Sequence, residues 1–173
     1  MPRLIRPILA TLLIAALPFV AAAQGTQVAF SGLKQDPTLP VQVTADQLKV
    51  NQTDGSAVFS GHVIVGQGQI RLAADEVRVE YDKGTTEAKG RISRMVATGD
   101  VTFTSGGEAA EAKQAIYTID DGRVVMTGDV LLTQGQSAMS GQTLDIDLKS
   151  GTGQMEGRVQ TVFHPAPAQP ASP

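Results

Sequence analysis

The sequence has little of what catalysis and covalent cross-linking require. It contains no cysteine, no tryptophan and two histidines, and aromatic residues make up 4% of its 173 positions. Without cysteine there is no disulfide, no thiolate zinc site and no cysteine nucleophile. The two histidines, His62 and His164, do not have the spacing of a ligand pair. The core must therefore be built from Val, Ile, Leu and Ala, without metal or cross-links.

After the first 23 residues the sequence has no apolar run long enough to span a bilayer. Those residues are typical of a secretory signal peptide: Arg3 and Arg6 precede a short apolar core, Ile8–Leu17, and a small-residue cleavage site, Ala21–Ala23. The alternative is an uncleaved membrane anchor. Cleavage predicts a secreted protein that begins at Gln24.

Removing 23 of the 173 residues leaves 150. It removes two of the 14 basic residues and none of the 17 acidic ones, so the net charge of −3 becomes −5. This acidic balance argues against nucleic acid as a partner. A chain of this size can form one domain that buries roughly two-thirds of its unfolded surface.

A 29-residue repeat runs through the mature chain. The apolar pair Leu48 and Val50 recurs after steps of 29, 38 and 29 residues, and a glycine recurs after steps of 38, 29 and 29. The recurring pairs are Val77 and Val79, Ala115 and Tyr117, and Leu144 and Ile146; the glycines are Gly61, Gly99, Gly128 and Gly157. One copy carries nine additional residues between Gly84 and Gly99, which we expect to extend a hairpin loop. Landmarks in one register are strong evidence of repetition.

The repeat unit has the pattern of two β-strands joined by a turn. In Ala57–Tyr81, alternate apolar residues define one face of each strand, and Gly66–Gly68 supplies the turn. The parity of the apolar residues flips at Ala73–Asp75, which predicts a bulge or bend there. Glu108–Ala115 has helix-favouring composition, but its place in the repeat favours a strand. The sequence predicts an all-β antiparallel fold of about eight bent strands, either a jelly roll or an open twisted sandwich.

Four segments follow from composition. They are a signal peptide (1–23), a leader (24–38) in which Val28–Phe30 has the pattern of a short strand, the repeat domain (39–163), and a proline-rich tail (164–173) predicted to be disordered. The open edges of the sheet are predicted at Val28–Val43 and Arg158–Phe163. Gly55 and Gly122 each follow an aspartate, and we expect both at positive φ in hairpin turns.

No catalytic, metal or cofactor site is predicted. The adjacent acids Asp75 and Glu76 point to opposite faces of a strand, so they do not form a cooperating pair. The Gly66–Gly68 turn lacks the lysine and the helix of a phosphate-binding loop. The informative feature is a set of strand segments that are apolar on both faces: Val63–Val65, Val124–Met126 and Val130–Leu132. A well-filled core and a groove for an apolar ligand such as an acyl chain both explain them.

Two blocks resemble the OstA-like family of lipopolysaccharide transport proteins. One is SAVFSGHVIVGQGQIRLAADEVRVEY at 56–81, with its strand, Gln-Gly turn and Ile-x-Ala-Asp-x-Val-x-Val-type return strand; the other is VVMTGDVLLTQG at 124–135. The resemblance covers about residues 39–160. It implies a V-shaped β-jelly roll with an apolar interior.

The resemblance also implies a role, which nothing in the spacing alone indicates. It implies a periplasmic carrier that binds lipopolysaccharide through the acyl chains of lipid A, forms head-to-tail homo-oligomers, and docks inner-membrane anchored and outer-membrane partners through its edge strands. Lipid-facing positions of the family correspond to Val41, Val43, Phe103, Tyr117 and Ile119. The alternatives are the inner-membrane anchored partner of the same system, a ligand-free filament-forming protein, and a periplasmic carbohydrate-active enzyme.

Overall fold

The computed structural model describes residues 26–29, 39–51, 53, 55–82 and 90–163. The predicted signal peptide, the predicted tail and most of the nine-residue insertion lie outside these ranges. No helix within them is long and apolar enough to cross a membrane. The described ranges form eleven strands: β1 (Thr26–Ala29), β2 (Gln42–Thr44), β3 (Gln47–Asn51), β4 (Ser56–Gln67), β5 (Ile70–Tyr81), β6 (Ile92–Ser105), β7 (Glu108–Thr118), β8 (Arg123–Gln134), β9 (Ser137–Asp147), β10 (Thr152–Glu156) and β11 (Gln160–Val162).

The all-β antiparallel prediction is confirmed, although the predicted number of strands was too low. Six long strands, β4–β9, follow one another as hairpins, and shorter strands complete both ends. The segment with helix-favouring composition, Glu108–Ala115, lies in β7, as the repeat predicted. A strand also occurs where the sequence suggested one in the leader, at Thr26–Ala29.

The sheet consists of two walls joined at a bend in each long strand. The short strands reveal this division, because β3 pairs with the first half of β4 and β2 with its second half. At the other end β10 and β11 divide β9 in the same way. Wall A contains β1, β3, β10 and residues 56–60, 76–81, 92–98, 114–118, 123–127 and 143–147. Wall B contains β2, β11 and residues 63–67, 70–74, 101–105, 108–112, 130–134 and 137–141.

The bends in β4, β6 and β8, and the link between β10 and β11, are two-residue left-handed segments that each start with a landmark glycine. Gly61, Gly99, Gly128 and Gly157 have φ between 78° and 86°, and the non-glycine residue after each has φ between 42° and 49°. Those residues are His62, Asp100, Asp129 and Arg158. Over each of these four glycines lies a side chain from an earlier part of the chain, and these four side chains share one position of the repeat. They are Asp46, Asp75, Lys113 and Gln142, respectively. A Cβ on Gly61, Gly99 or Gly157 would overlap that side chain, and a Cβ on Gly128 would lie 3.0 Å from Lys113 Cβ, so these positive-φ positions favour glycine.

The inward face changes parity within β5, as predicted. The additional residue of the bulge, however, lies in the neighbouring strands β4 and β6 and not in β5 itself. Ser60 pairs with Glu76 and Val63 with Ala74, so three steps on β4 match two on β5. The extra residue is in the Gly61–His62 segment, and β6 has its own at Gly99–Asp100. Strands with a left-handed pair keep their parity through the bend, whereas the return strands β5, β7 and β9 change theirs. Apolar residues therefore face inward along both walls.

One apolar core lies between the walls. Its largest fully buried side chains include Met126, Leu132, Leu144, Ile146 and Met155. Valine and alanine supply most of the remainder, as expected for a chain without tryptophan.

The prediction of the N-terminal edge was wrong in part. The strand that contains Val28 pairs with β10, so it lies at the C-terminal edge of wall A. The N-terminal edge is formed by β2 in wall B and β3 in wall A. At the C-terminal end β11 pairs with β9 at the edge of wall B, within the predicted Arg158–Phe163 edge.

The positive φ of two turn glycines predicts that replacing them lowers the free energy of unfolding. Gly55 and Gly122 have φ of 68° and 64°, as predicted, and the Gly122 amide donates to the Ile119 carbonyl at 3.1 Å. Gly122→Val should lower the free energy of unfolding by more than about 1 kcal/mol, since a β-branched residue resists this conformation. Gly107→Val is the control, because Gly107 is a turn glycine outside the left-handed region with open space around it. Equal urea-denaturation midpoints for the two variants would contradict this account.

Candidate functional site

An apolar groove runs between the walls. Its lining comes from both: Val65, Ile70, Leu72 and Phe103 from wall B, and Val77, Met95, Ala97, Ala115, Tyr117 and Val124 from wall A, together with Val41, Gln67 and Leu148. The strands place these side chains inward because each wall alternates inward and outward residues, and the change of parity in the return strands keeps the apolar series inward in both walls. The Gln67 amide donates to the Leu39 carbonyl at 3.0 Å.

The five residues predicted to face lipid all lie in or beside this groove. Val41, Phe103 and Tyr117 line it. Val43 and Ile119 are partly buried and pack against the core that surrounds it. Val43 lies on the edge strand β2 opposite Val65, and Ile119 follows β7 at the tip of wall A.

Sequence reasoning missed much of the lining. Met95, Val124 and Leu148 line the groove. Strand parity carried the signal for all three, because each belongs to an inward apolar series once the repeat is aligned. Leu72 and Val77 also line the groove, although the sequence did not single them out as lipid-facing positions.

In two of the three segments that are apolar on both faces, the outer face is exposed, and in Val124–Met126 the outward Val125 is half-buried. Val63 and Val65 are buried, but Ile64 between them is 49% exposed on the outside of wall B. Leu131 is likewise exposed between the buried Val130 and Leu132. Only the inward parity lines the core and groove, so the second apolar face is not evidence for a ligand.

The groove is narrow in this state. It encloses about 40 Å³, which corresponds to about three water positions. A chain of methylene groups requires the walls to move apart.

Three ion pairs lie outside the groove, along the bends and on wall A. Lys113 pairs with Asp129 at one bend, and Arg123 pairs with Asp145 on wall A, with 2.8 Å between Nε and Oδ1. At the first bend His62 Nδ1 lies 2.8 Å from Asp46 Oδ2. Within the described ranges no three His, Cys, Asp or Glu side chains are grouped to hold a metal ion.

The His62–Asp46 pair predicts a pH effect. The hydrogen bond to Asp46, and then the charge of its carboxylate, raise the pKa of His62 above 6.5. Because the folded-state pKa is raised, the pair stabilises the fold fully below pH 6.5, and this contribution is lost as the pH rises through the folded-state pKa. Both side chains are exposed, so the effect on stability is small.

An NMR titration in a His164→Gln background, where His62 is the one histidine, should show the raised pKa. Asp46→Asn should lower it towards 6.5. An unchanged pKa in Asp46→Asn would refute the pairing.

The fold and site together define a class of protein: an open antiparallel β-jelly roll with an apolar groove between its two walls. Residues 42–152 match the model of the LptA/(LptD N-terminal domain) LPS transport protein family. The chain belongs to this family, which is a family of transport proteins and not of catalysts.

Several known proteins are similar to this chain. A Rhizobium meliloti protein described as uncharacterized protein R00383 is 28% identical over 152 residues, which are 84% of this chain and 82% of that protein. The lipopolysaccharide export system protein LptH of Pseudomonas aeruginosa is 34% identical over 64 residues, 37% of this chain and 36% of its own. The LPS-assembly protein LptD of Yersinia enterocolitica is 39% identical over 69 residues, 39% of this chain and 8% of its own.

A solved structure supports the fold. The crystal structure of LptH, described as the LptA homologous periplasmic component of the lipopolysaccharide transport device of Pseudomonas aeruginosa, matches with a TM-score of 0.67 at 19% identity. The match covers 76% of this chain and 99% of that one. At this identity the likeness shows the β-jelly roll fold alone.

Proposed function

We propose that this protein is a periplasmic lipopolysaccharide carrier that shields the acyl chains of lipid A between its two walls and catalyses no reaction. The observation that carries the proposal is the groove, whose lining consists of aliphatic and aromatic side chains apart from Gln67. Shielding an acyl chain from water there contributes about 25 cal/mol per Å² of apolar surface. The family supports lipopolysaccharide as the ligand, and the predicted signal peptide supports the compartment.

Loading requires that the walls separate, because the groove encloses only about 40 Å³. The bends are the natural hinge, since each long strand changes direction at the same repeat position. Parting the walls exposes inward side chains to water, and the entering acyl chain covers them again. The walls therefore close without ligand and open around it.

The proposed carrier also joins end to end, to itself and to membrane-bound partners. The support lies at the two ends of the sheet. Leu48 and Val50 on β3 are 54% and 65% exposed, whereas the residues at the same repeat positions elsewhere are buried. At the other end, Phe163 after β11 is 74% exposed. These two ends differ, so their contact is heterologous and extends the groove from one copy to the next.

The deciding experiment is mass spectrometry of lipids extracted from the protein purified from its native periplasm. Lipopolysaccharide in a defined ratio to protein, absent from a Val43→Asp, Ile119→Asp double variant, is the expected result. Protein that contains no lipid but still polymerises would favour a ligand-free filament instead.

End-to-end joining predicts a loss of association when the C-terminal edge is changed. Val159→Pro, and separately deletion after Arg158, should lower the sedimentation coefficient and the recovery of membrane partners in pull-downs. The deletion removes β11, and the proline removes the backbone N–H immediately before it and restricts the chain where β11 begins. Val162→Thr, which keeps the strand and its backbone groups, is the control. Normal association of both folded variants would exclude this edge.

A further inference from the structure

The strand β1 occupies an edge far from the rest of the N-terminal region. It pairs with β10, placing Thr26 opposite Met155 and Val28 opposite Gly153. The next strands along the chain, β2 and β3, lie at the opposite edge of the same sheet. The first strand therefore closes the last edge of wall A.

The repeat identifies which strand belongs beside β10. In wall A, Met126 pairs with Leu144 and Val124 pairs with Ile146. Met155 and Gly153 lie 29 residues after Met126 and Val124, so β10 repeats this segment of β8. Its next neighbour should repeat the 143–147 segment of β9.

The 143–147 segment of β9 pairs with β8 on one side and with β10 on the other. Its repeat equivalent is β3, since Leu48 and Val50 correspond to Leu144 and Ile146. Among the described strands, β3 pairs with β4 alone and so has one open side. It lies at the opposite edge of its own sheet, so it can reach β10 only from a second copy. All neighbouring strands are antiparallel, and β1 and β3 are an even number of steps apart, so they run in the same direction. A β3 strand from a second copy would thus take the place and orientation of β1.

In this place β3 is the better partner. It would put Leu48 opposite Met155, where β1 has Thr26, and Val50 opposite Gly153, where β1 has Val28. Replacing β1 by β3 would expose Val28, which is buried in the single chain. It would cover Leu48 and Val50, which are each more than half exposed. It would also place Lys49 opposite Gln154 and near Glu156, which adds a favourable charge contact.

We propose that β1 is a replaceable cap, which closes β10 in the single chain and is displaced by β3 of a second copy when two copies join. This inference rests on the end-to-end joining in the proposed function. It adds a mechanism by which the chain regulates that joining. An uncovered edge strand pairs with any available strand. The cap limits pairing at β10 to a strand that competes successfully with β1.

A reversible disulfide between β1 and β10, called the lock below, tests the cap. Gln27 and Gln154 are exposed and directly opposite one another on β1 and β10, and the protein has no other cysteine to interfere. The Gln27→Cys, Gln154→Cys protein, once oxidised, should remain monomeric at concentrations where the parent associates, and reduction should restore association. The control is Thr127→Cys, Thr143→Cys, which links β8 to β9 away from β10; oxidation there should leave association unchanged.

Deletion of residues 24–29 completes the test. Without the cap, association measured by analytical ultracentrifugation should occur at about tenfold lower concentration, which corresponds to about 1.4 kcal/mol. Normal association of the oxidised lock, or weaker association after the deletion, would overturn the cap and leave end-to-end joining intact. If neither the parent nor the deletion variant associates, both the cap and end-to-end joining are wrong, whereas lipid binding is decided separately by mass spectrometry.

Discussion

Val43→Asp and Ile119→Asp are each expected to weaken lipopolysaccharide binding by at least about 100-fold while the protein remains folded. Both side chains are partly buried beside the groove, so each carboxylate can stay hydrated in the empty protein. An acyl chain in the groove removes that hydration, which costs several kcal/mol for a charged group. A loss of about 3 kcal/mol is a 100-fold change in affinity.

The measurement is a titration with fluorescent lipopolysaccharide, together with thermal unfolding of each variant. Ile64→Asp is the control, because it introduces the same charge on β4 but at the exposed outer face of wall B. It should bind like the parent. A folded Ile119→Asp protein with parental affinity would place Ile119 outside the site, and a loss of binding in Ile64→Asp would show that net charge rather than the groove is responsible.

Gly99→Ala is expected to lower the free energy of unfolding by about 2–4 kcal/mol, through strain and overlap at one bend. Gly99 has φ of 78°, and a Cβ there would lie 2.8 Å from Asp75 Cβ and closer still to Asp75 Oδ2. The pleat fixes Asp75 on the adjacent strand, so the overlap is relieved only by moving the backbone.

Gly135→Ala separates strain from overlap. Gly135 has φ of 58° but nothing lies within 4 Å of its Cβ position, so this variant should lose only the about 1–2 kcal/mol of a left-handed residue. Adding Asp75→Gly to Gly99→Ala removes the overlapping side chain and should recover part of the difference. Urea denaturation measures all three proteins, and equal losses for Gly99→Ala and Gly135→Ala would rule out the contact with Asp75.

Much of the fold follows from the sequence because the decisive constraint is local. A strand with one buried face must alternate, and a slip of one residue would turn Val77 and Val79 outward. The repeat extends this reasoning to residues such as Ala115, whose own neighbourhood favours helix. Fold class, turn glycines and the inward series were therefore predictable.

The remainder depends on contacts that no local pattern encodes. The left-handed conformation of His62 and Asp100 follows from the change of direction between the walls, and a polar residue after glycine is compatible with many conformations. The pairing of β1 with β10 joins residues more than 120 positions apart, and a four-residue strand has no register signal of its own. Ile64 and Leu131 are apolar like buried residues, but within the described ranges no layer outside wall B covers them.

The site was less predictable than the fold. Parity places Phe103 and Tyr117 on the inner face, but how far apart the walls stand depends on the conformation of every bend. The same inward residues can form a filled core or a groove, and the difference is a wall separation of a few ångströms. This is why Leu72 and Val77 are assigned to the groove only by the structure.

The bends at Gly61, Gly99 and Gly128 make groove length a modular quantity. Each 29-residue unit adds two strands to each wall, and strands are spaced about 4.8 Å apart, so one unit adds about 10 Å of groove. Duplicating Asp129–Gly157 would lengthen the channel by that amount while leaving both terminal edges, and hence their partners, unchanged. Reach and binding specificity are thus encoded in separate parts of the chain, so one can be altered by gene duplication without redesigning the other.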